Sequence, residues 1–160
     1  MFQKIGIPLI ISVLGHTDEE FEILIQKFNA VDGICAMELI YPALISTRKP
    51  WWRRILKATH RLITQLKRIA RYPLIAKLTP NVMDIAQIAL AAPEVGADAI
   101  SLINIFTAME IDINHRGSVL GNFTGGLISP AIRPIAVSMV HQVARQVKIP
   151  VMGMGGIRTA

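Results

Sequence analysis

Short continuous apolar runs alternate along this chain with stretches whose apolar residues recur every three or four positions, the signature of buried strands separated by amphipathic helices. Ile7–Leu14 predicts a first strand. Thr17–Phe28 predicts a helix that opens on a Thr17-x-x-Glu20 capping box and gathers Phe21, Leu24, Ile25 and Phe28 on one face. Ile34–Ile40 predicts a second strand, and Trp51–Ala70 a helix with Trp52, Ile55, Leu56, Ile63, Leu66 and Ile69 on one side. Pro73–Leu78 reads as a third strand. Asn81 is expected to cap the next helix, with Asp84 in its first turn and Ile85, Ile88, Ala89 and Ala92 as its apolar face. Gly96-Ala97-Asp98 turns the chain into a fourth strand, Ala99–Asn104. Phe106 to Pro130 reads as a long loop carrying Gly121, Gly125 and Gly126, after which a helix over Ile132–Val147 leads to a fifth strand, Ile149–Gly153.

Strands that are apolar throughout and separated by helices imply a parallel α/β sheet covered on both faces. A closed parallel barrel needs eight strands and about 250 residues. The expectation is therefore one partial TIM-barrel domain over residues 1–160, with five of eight strands and both flanks missing. No linker, low-complexity tract or repeat period interrupts it.

Composition narrows the class. With 160 residues, 52% of them apolar and 18% charged, the chain can bury a real core and is not disordered. The lone Cys35 cannot form an internal disulfide, which points to a reducing cytoplasm. The run Ile5–Gly15 follows Lys4 in loose imitation of a signal peptide. It is broken by Pro8, falls short of the ~20 residues a membrane span needs, and leads into a helix start instead of a cleavage site. The expectation is a buried strand, with no membrane span. The four histidines, His16, His60, His115 and His141, share no metal-type spacing. The net charge of +6 is local: residues 48–71 hold nine of the seventeen Lys and Arg and no Asp or Glu, and the remainder, with eight basic against eleven acidic residues, has a net charge of −3. Residues 40–71 stand out as an anomalous basic segment.

Candidate chemistry gathers at strand ends. Val151-Met152-Gly153-Met154-Gly155-Gly156-Ile157 runs from a strand straight into glycines, whose backbone N–H groups can converge on an anion such as a phosphate. Lys77 and Asn104 close the third and fourth strands, so three strands each deliver one functional group at the same end, as in a parallel barrel. Each group also has a plain structural reading. Lys77 suits a strand-end lysine reaching solvent, Asn104 a turn or cap residue, and the glycine pair a tight turn. Gly153-x-Gly155-Gly156 lacks the spacing of a dinucleotide fingerprint.

Four stretches, in order and at this spacing, carry a resemblance. They are Ile75-Ala76-Lys77-Leu78-Thr79-Pro80-Asn81-Val82, then Gly96-Ala97-Asp98 to Leu102-Ile103-Asn104, then Thr124-Gly125-Gly126-Leu127 to Pro130-Ala131-Ile132-Arg133-Pro134, and Gly153-Met154-Gly155-Gly156-Ile157. Together they resemble the dihydroorotate dehydrogenases, in particular the FMN-binding catalytic subunit of the heteromeric bacterial type. The pyrimidine-reducing domain of dihydropyrimidine dehydrogenase is a close alternative, through Ala76–Val82 and Ala131–Ala136. The resemblance implies oxidation of dihydroorotate to orotate in pyrimidine biosynthesis, with FMN taking a hydride while a loop base removes a proton. Lys77 would lie at the flavin N1–C2 carbonyl edge, where a fixed cation stabilises the anionic reduced ring. Ile103 would place its backbone beside the flavin, Gly155 and Gly156 would hold the phosphate, and Asn104 would hydrogen-bond the pyrimidine. Ser12 and Ser129 occupy two further flavin-side positions. An iron–sulfur flavoprotein electron-transfer subunit and a homodimer are the partners implied, and no nucleic acid.

The same resemblance exposes departures. Family members follow the second strand with Asn-Ile-Ser-Cys-Pro-Asn, whose first Asn binds substrate and whose Cys is the base. Here Ile40-Tyr41-Pro42-Ala43-Leu44-Ile45 stands in that place, with Ile40 at the Asn position and Ala43 at the Cys position. Neither accepts a proton, so no catalytic base is expected. Ile105 replaces a Thr, Ile128 a Ser, and Phe123 and Ser129 replace glycines. The codons aat-ata-tcc-tgc-cct-aat encode the family loop, and read one base later give ata-tat-cct-gcc-cta, or Ile-Tyr-Pro-Ala-Leu, as in Ile40–Leu44. A reading frame that slips near residue 40 and returns before about residue 71 accounts for the acid-free block. Two readings compete with the enzyme: a membrane- or RNA-binding fragment acting through Lys57, Arg61, Lys67 and Arg68, and a non-functional product whose open sheet edges promote aggregation.

Overall fold

The computed structural model describes residues 6–40 and 52–159, with side chains of the second segment from residue 60 onward. The elements run β1 (Leu9–Leu14), α1 (Asp18–Asn29), β2 (Ile34–Ile40), α2 (Trp52–Ile69), β3 (Leu74–Lys77), α3 (Ile85–Glu94) and β4 (Ala99–Leu102). Four short strands follow: β5 (Phe106–Ala108), β6 (Ile111–Asp112), β7 (Gly117–Ser118) and β8 (Gly125–Leu127). A 3-10 turn (Pro130–Ile132), α4 (Arg133–Ala144) and β9 (Val151–Gly153) complete the series.

One five-stranded sheet, ordered β1-β2-β3-β4-β9 with every pair parallel, organises the chain. Each new strand joins the same growing edge. Parallel crossovers are right-handed, so this order carries every helix to the same face. That is the progression of a TIM barrel, here an open arc with β1 and β9 as its edges. The expectation of a sheet covered on both faces holds for the helical face only: the second face is the inner wall of the arc, where Ile10, Leu14 and Met152 stay exposed. On the helical face, Val13, Met37, Leu39, Leu74, Ile100 and Leu102 form one buried cluster with Phe21, Ile25, Leu62, Leu66 and Ala89.

Local signals explain the helices, with two corrections. Thr17 Oγ1 accepts from the Glu20 N–H at 3.2 Å, as a capping box requires. The return bond is displaced by one residue, since Glu20 Oε2 accepts from the N–H of His16 at 2.7 Å. The cap of α3 is Asp84, whose Oδ1 accepts from Ala86 and Gln87 N–H at 3.0 and 3.1 Å. Asn81 is committed elsewhere: its Nδ2 donates to Thr79 Oγ1 and to the Ile105 carbonyl, and its Oδ1 accepts from Thr107 N–H. It therefore ties the loop after β3 to the loop after β4. The segment expected to be one long loop contains two small antiparallel ribbons, β5 with β8 and β6 with β7.

Of the apolar stripe expected on α2, the side chains of Trp52, Ile55 and Leu56 lie outside the described residues. Ile63 and Leu66 are buried, and Ile69 packs against the same core. Polar contacts lock this helix to its neighbours. Arg61 pairs with Asp18 and Gln65 donates to Glu22. Lys67 pairs with Asp98 at 2.5 Å, and Asp98 also accepts from Leu74 N–H at 2.7 Å. Asn29 Nδ2 donates to the Ile69 carbonyl at 2.6 Å. Leu66→Ala is expected to cost about 2–5 kcal/mol of unfolding free energy, since the fully buried side chain leaves a cavity. Urea titration measures it, and a loss below about 1 kcal/mol would show that α2 is not part of the cooperative core.

Candidate functional site

Four adjacent strands place one polar side chain each on the inner wall of the arc. Strand register sets Ser12 beside Glu38 and Lys77 beside Ser101, and alternation of side chains keeps each pair on one face. Glu38 is the hub. Its Oε2 accepts from Ser12 Oγ at 2.6 Å and from Lys77 Nζ at 3.2 Å, and its Oε1 accepts from Ser101 Oγ at 2.6 Å. Glu38 is only 4% exposed, and the Lys77 side chain 13%. Lys77 Nζ also lies 3.0 Å from the Met154 sulfur.

Burial pushes the Glu38 carboxyl up, but the Ser101 and Ser12 hydroxyls and the Lys77 charge outweigh it and hold the group below its ordinary value of 4.5. A depressed carboxyl stabilises the fold fully above its unfolded-state value and loses that contribution as pH falls through the folded one. Urea midpoints are therefore expected to drop as pH is lowered below 4.5, and Glu38→Gln is expected to flatten that part of the profile. An unchanged slope in Glu38→Gln would show that the network does not bear on stability.

Sequence reasoning singled out Lys77 and Ser12 but passed over Glu38 and Ser101. The available signal was one carboxylate inside the apolar run Ile34–Ile40, because a charge in a buried strand requires a partner.

Above this network Lys77 opens onto a cleft of about 230 Å³ at the carboxyl ends of the strands. Ile103 and Asn104 from the end of β4, and Gly155 and Gly156 from the end of β9, line it together with Lys77. Gly155 and Gly156 have φ of +114° and +71°, a turn that side chains rarely adopt. Their backbone N–H groups find no acceptor among the described residues. Asn104 anchors itself through its N–H to the Leu78 carbonyl at 2.9 Å, and its Oδ1 accepts from Ile105 N–H at 2.9 Å. Its Nδ2 has no acceptor among the described residues. The Leu102–Ile103 peptide is cis, and Ile103 N–H donates to the Met154 carbonyl at 3.1 Å, extending the β4–β9 ladder into the cleft wall.

Five of the seven residues expected at a cofactor or substrate site thus share one cleft: Lys77, Ile103, Asn104, Gly155 and Gly156. Ser12 and Ser129 stand outside its lining: Ser12 is bonded to Glu38, and Ser129 caps the 3-10 turn by accepting from Ala131 N–H at 3.1 Å. Ala43 lies outside the described residues. Ile105 and Ile128 make part of the wall apolar, and Phe123 holds a φ of +60° at a position where the resemblance has glycine. Donor chemistry therefore fits a nucleotide with a negatively charged ring edge and a phosphate: one ammonium, two free amides and one free carboxamide, on a largely apolar wall.

Among the described residues of the basic segment, Arg61, Lys67 and Arg71 are in ion pairs, Arg68 is exposed, and Leu62, Ile63 and Leu66 face the core; the side chain of Lys57 lies outside the described residues. That is the outer-helix arrangement, with charges solvated or paired over an apolar stripe. Among the described residues no helix is long and apolar enough to cross a membrane.

Comparison with known proteins places the chain in a family. The profile of the family described as dihydroorotate dehydrogenase matches residues 2–160. A protein of Desulforudis audaxviator named dihydroorotate dehydrogenase B (NAD(+)), catalytic subunit, is 43% identical over 158 residues, covering 98% of this chain and 52% of that protein. Proteins of the same name from Lachnoclostridium phytofermentans and Alkaliphilus oremlandii are 56% identical over 99 residues and 58% identical over 94 residues. These matches cover 62% and 59% of this chain, and 33% and 31% of those proteins. The chain spans about half the length of the curated relatives it matches from end to end.

Proposed function

The chain belongs to the dihydroorotate dehydrogenase family, and we propose that it forms the flavin- and pyrimidine-binding half of a catalytic subunit that oxidises dihydroorotate to orotate in pyrimidine biosynthesis. The observation that carries this reading is the convergence of Lys77, Asn104 and the Gly155-Gly156 turn on one cleft. FMN, when bound, supplies the hydride acceptor. Lys77 offers an ammonium N–H to the N1–C2 carbonyl edge of the ring. The Gly155 and Gly156 amides hold the phosphate without side chains in the way. Asn104 Nδ2 donates to a carbonyl of the pyrimidine, while Ile103, Ile105 and Ile128 keep water from the ring. The name shared by the matched relatives favours dihydroorotate over the pyrimidines of dihydropyrimidine dehydrogenase. Its words "catalytic subunit" also support a partner subunit, which we take to be an iron–sulfur flavoprotein that transfers electrons; a cytoplasmic location and a homodimer are further parts of the proposal.

Ala43 and Ile40 at the positions of the family Cys and Asn cannot accept the C5 proton or hold the pyrimidine. The chain is thus a binding half that does not turn over. Purified protein incubated with FMN is expected to become yellow, and orotate to shift the flavin band, a shift lost in Asn104→Ala. A chain that stays colourless after reconstitution overturns the proposal.

The frame slip remains our explanation for the altered loop. The gene decides it: the alternative frame across codons 40–44 is expected to spell the Cys-containing loop, and any other reading ends the idea.

A further inference from the structure

We infer that Glu38 is the positioning residue that fixes the Lys77 ammonium at the floor of the cleft, an inference that rests on the FMN reading above. Inner walls of parallel barrels are filled mainly by branched apolar side chains. A carboxylate buried there is costly unless every oxygen is satisfied. In this chain it is satisfied from both sides at once, by Ser12 on β1 and Ser101 on β4, at 2.6 Å each. Anchored by its two neighbours, Glu38 cannot follow Lys77 if the lysine swings. The lysine, on a flexible four-carbon stem, must come to the carboxylate.

Donor accounting gives the consequence. An ammonium has three N–H groups. Glu38 at 3.2 Å takes one and the Met154 sulfur at 3.0 Å, a weak acceptor, takes a second. The third remains for a ligand. Lys77 lines the cleft and Glu38 does not, so Glu38 acts only through Lys77. Without the carboxylate the sulfur alone is too weak to hold the stem, and the ammonium samples the open cleft.

Labelling of the whole chain with trinitrobenzenesulfonate, followed lysine by lysine by peptide mass spectrometry, tests this without any flavin. Exposed Lys148 serves as the internal standard. Glu38→Gln is expected to speed Lys77 labelling relative to Lys148 by about tenfold, as the ionic partner of the ammonium is lost, and Ser12→Ala by about threefold, as one of the two hydroxyls anchoring the carboxylate is lost. A merely structural Glu38 would lower the melting temperature without changing that ratio. Unchanged Lys77 labelling in folded Glu38→Gln overturns the inference. Should that variant not fold, unchanged labelling in Ser12→Ala does so. In parallel, FMN affinity is expected to fall about tenfold in Glu38→Gln and to stay at the wild-type value in Lys148→Gln. A wild-type chain that takes no FMN removes the cofactor reading, while the labelling ratio still decides whether the clamp exists.

Discussion

Gly156→Ala is expected to abolish FMN binding and to cost about 2–4 kcal/mol of stability. Gly156 sits at φ +71°, and a Cβ there would meet the backbone of Arg133 at 2.6 Å from its nitrogen and 2.8 Å from its Cα. Both distances are closer than real Cβ contacts come, and the obstacle is the start of α4 rather than a flexible side chain. That helix cannot retreat, because Ala136 and Val143 anchor it in the core. The turn must therefore move, and with it the two amides assigned to the phosphate. Gly121 has nothing within 4 Å of a built Cβ, so Gly121→Ala is the matched control and is expected to stay within about 0.5 kcal/mol of wild type. Urea unfolding and FMN fluorescence quenching read both consequences. Wild-type stability and affinity in Gly156→Ala would show that the turn is neither packed nor used as described.

Lys77→Met carries the second large effect. It removes the one cation hydrogen-bonded to Glu38 among the described residues and leaves a buried carboxylate with two serine hydroxyls for company. Losing one partner of a buried pair costs about 3 kcal/mol, less whatever the hydroxyls retain. The deficit is expected near neutral pH and should shrink as pH falls, because burial favours the neutral carboxyl once the Lys77 charge that holds it down is gone. The double variant Lys77→Met with Glu38→Gln should recover part of the loss, which separates the unpaired charge from the missing packing. FMN affinity should drop about thirtyfold, near 2 kcal/mol for one charge-assisted hydrogen bond. Constant stability from pH 7 to 4 in Lys77→Met, with unchanged FMN affinity, would contradict the assignment.

The helices were legible from their three- to four-residue period, and the sheet strands from continuous apolar runs. Five apolar runs separated by helices also set the arc and the end at which Lys77, Asn104 and the glycine turn meet. What the sequence hid depends on partners distant along the chain. Asn81 and Asp84 are both good cap residues. Only the contacts of Asn81 with Ile105 and Thr107 show that it is occupied and that Asp84 is the cap. The ribbons between residues 106 and 127 use strands of two or three residues, too short for alternation to register. The sequence marks Glu38 as a carboxylate within an apolar run, but its partners Ser12, Lys77 and Ser101 follow only from strand register. Of the α2 cations that a basic binding face would use, Arg61 and Lys67 instead meet acids from α1 and the turn before β4, partners that sequence spacing does not reveal.

A paired fluorescence titration with FMN and with riboflavin, which differ only by the phosphate, tests the central claim most directly. If Gly155 and Gly156 hold the phosphate while Lys77 meets the ring, FMN binds at one equivalent and riboflavin binds at least about a hundredfold more weakly. Equal affinity for the two, or binding of neither, would contradict the account.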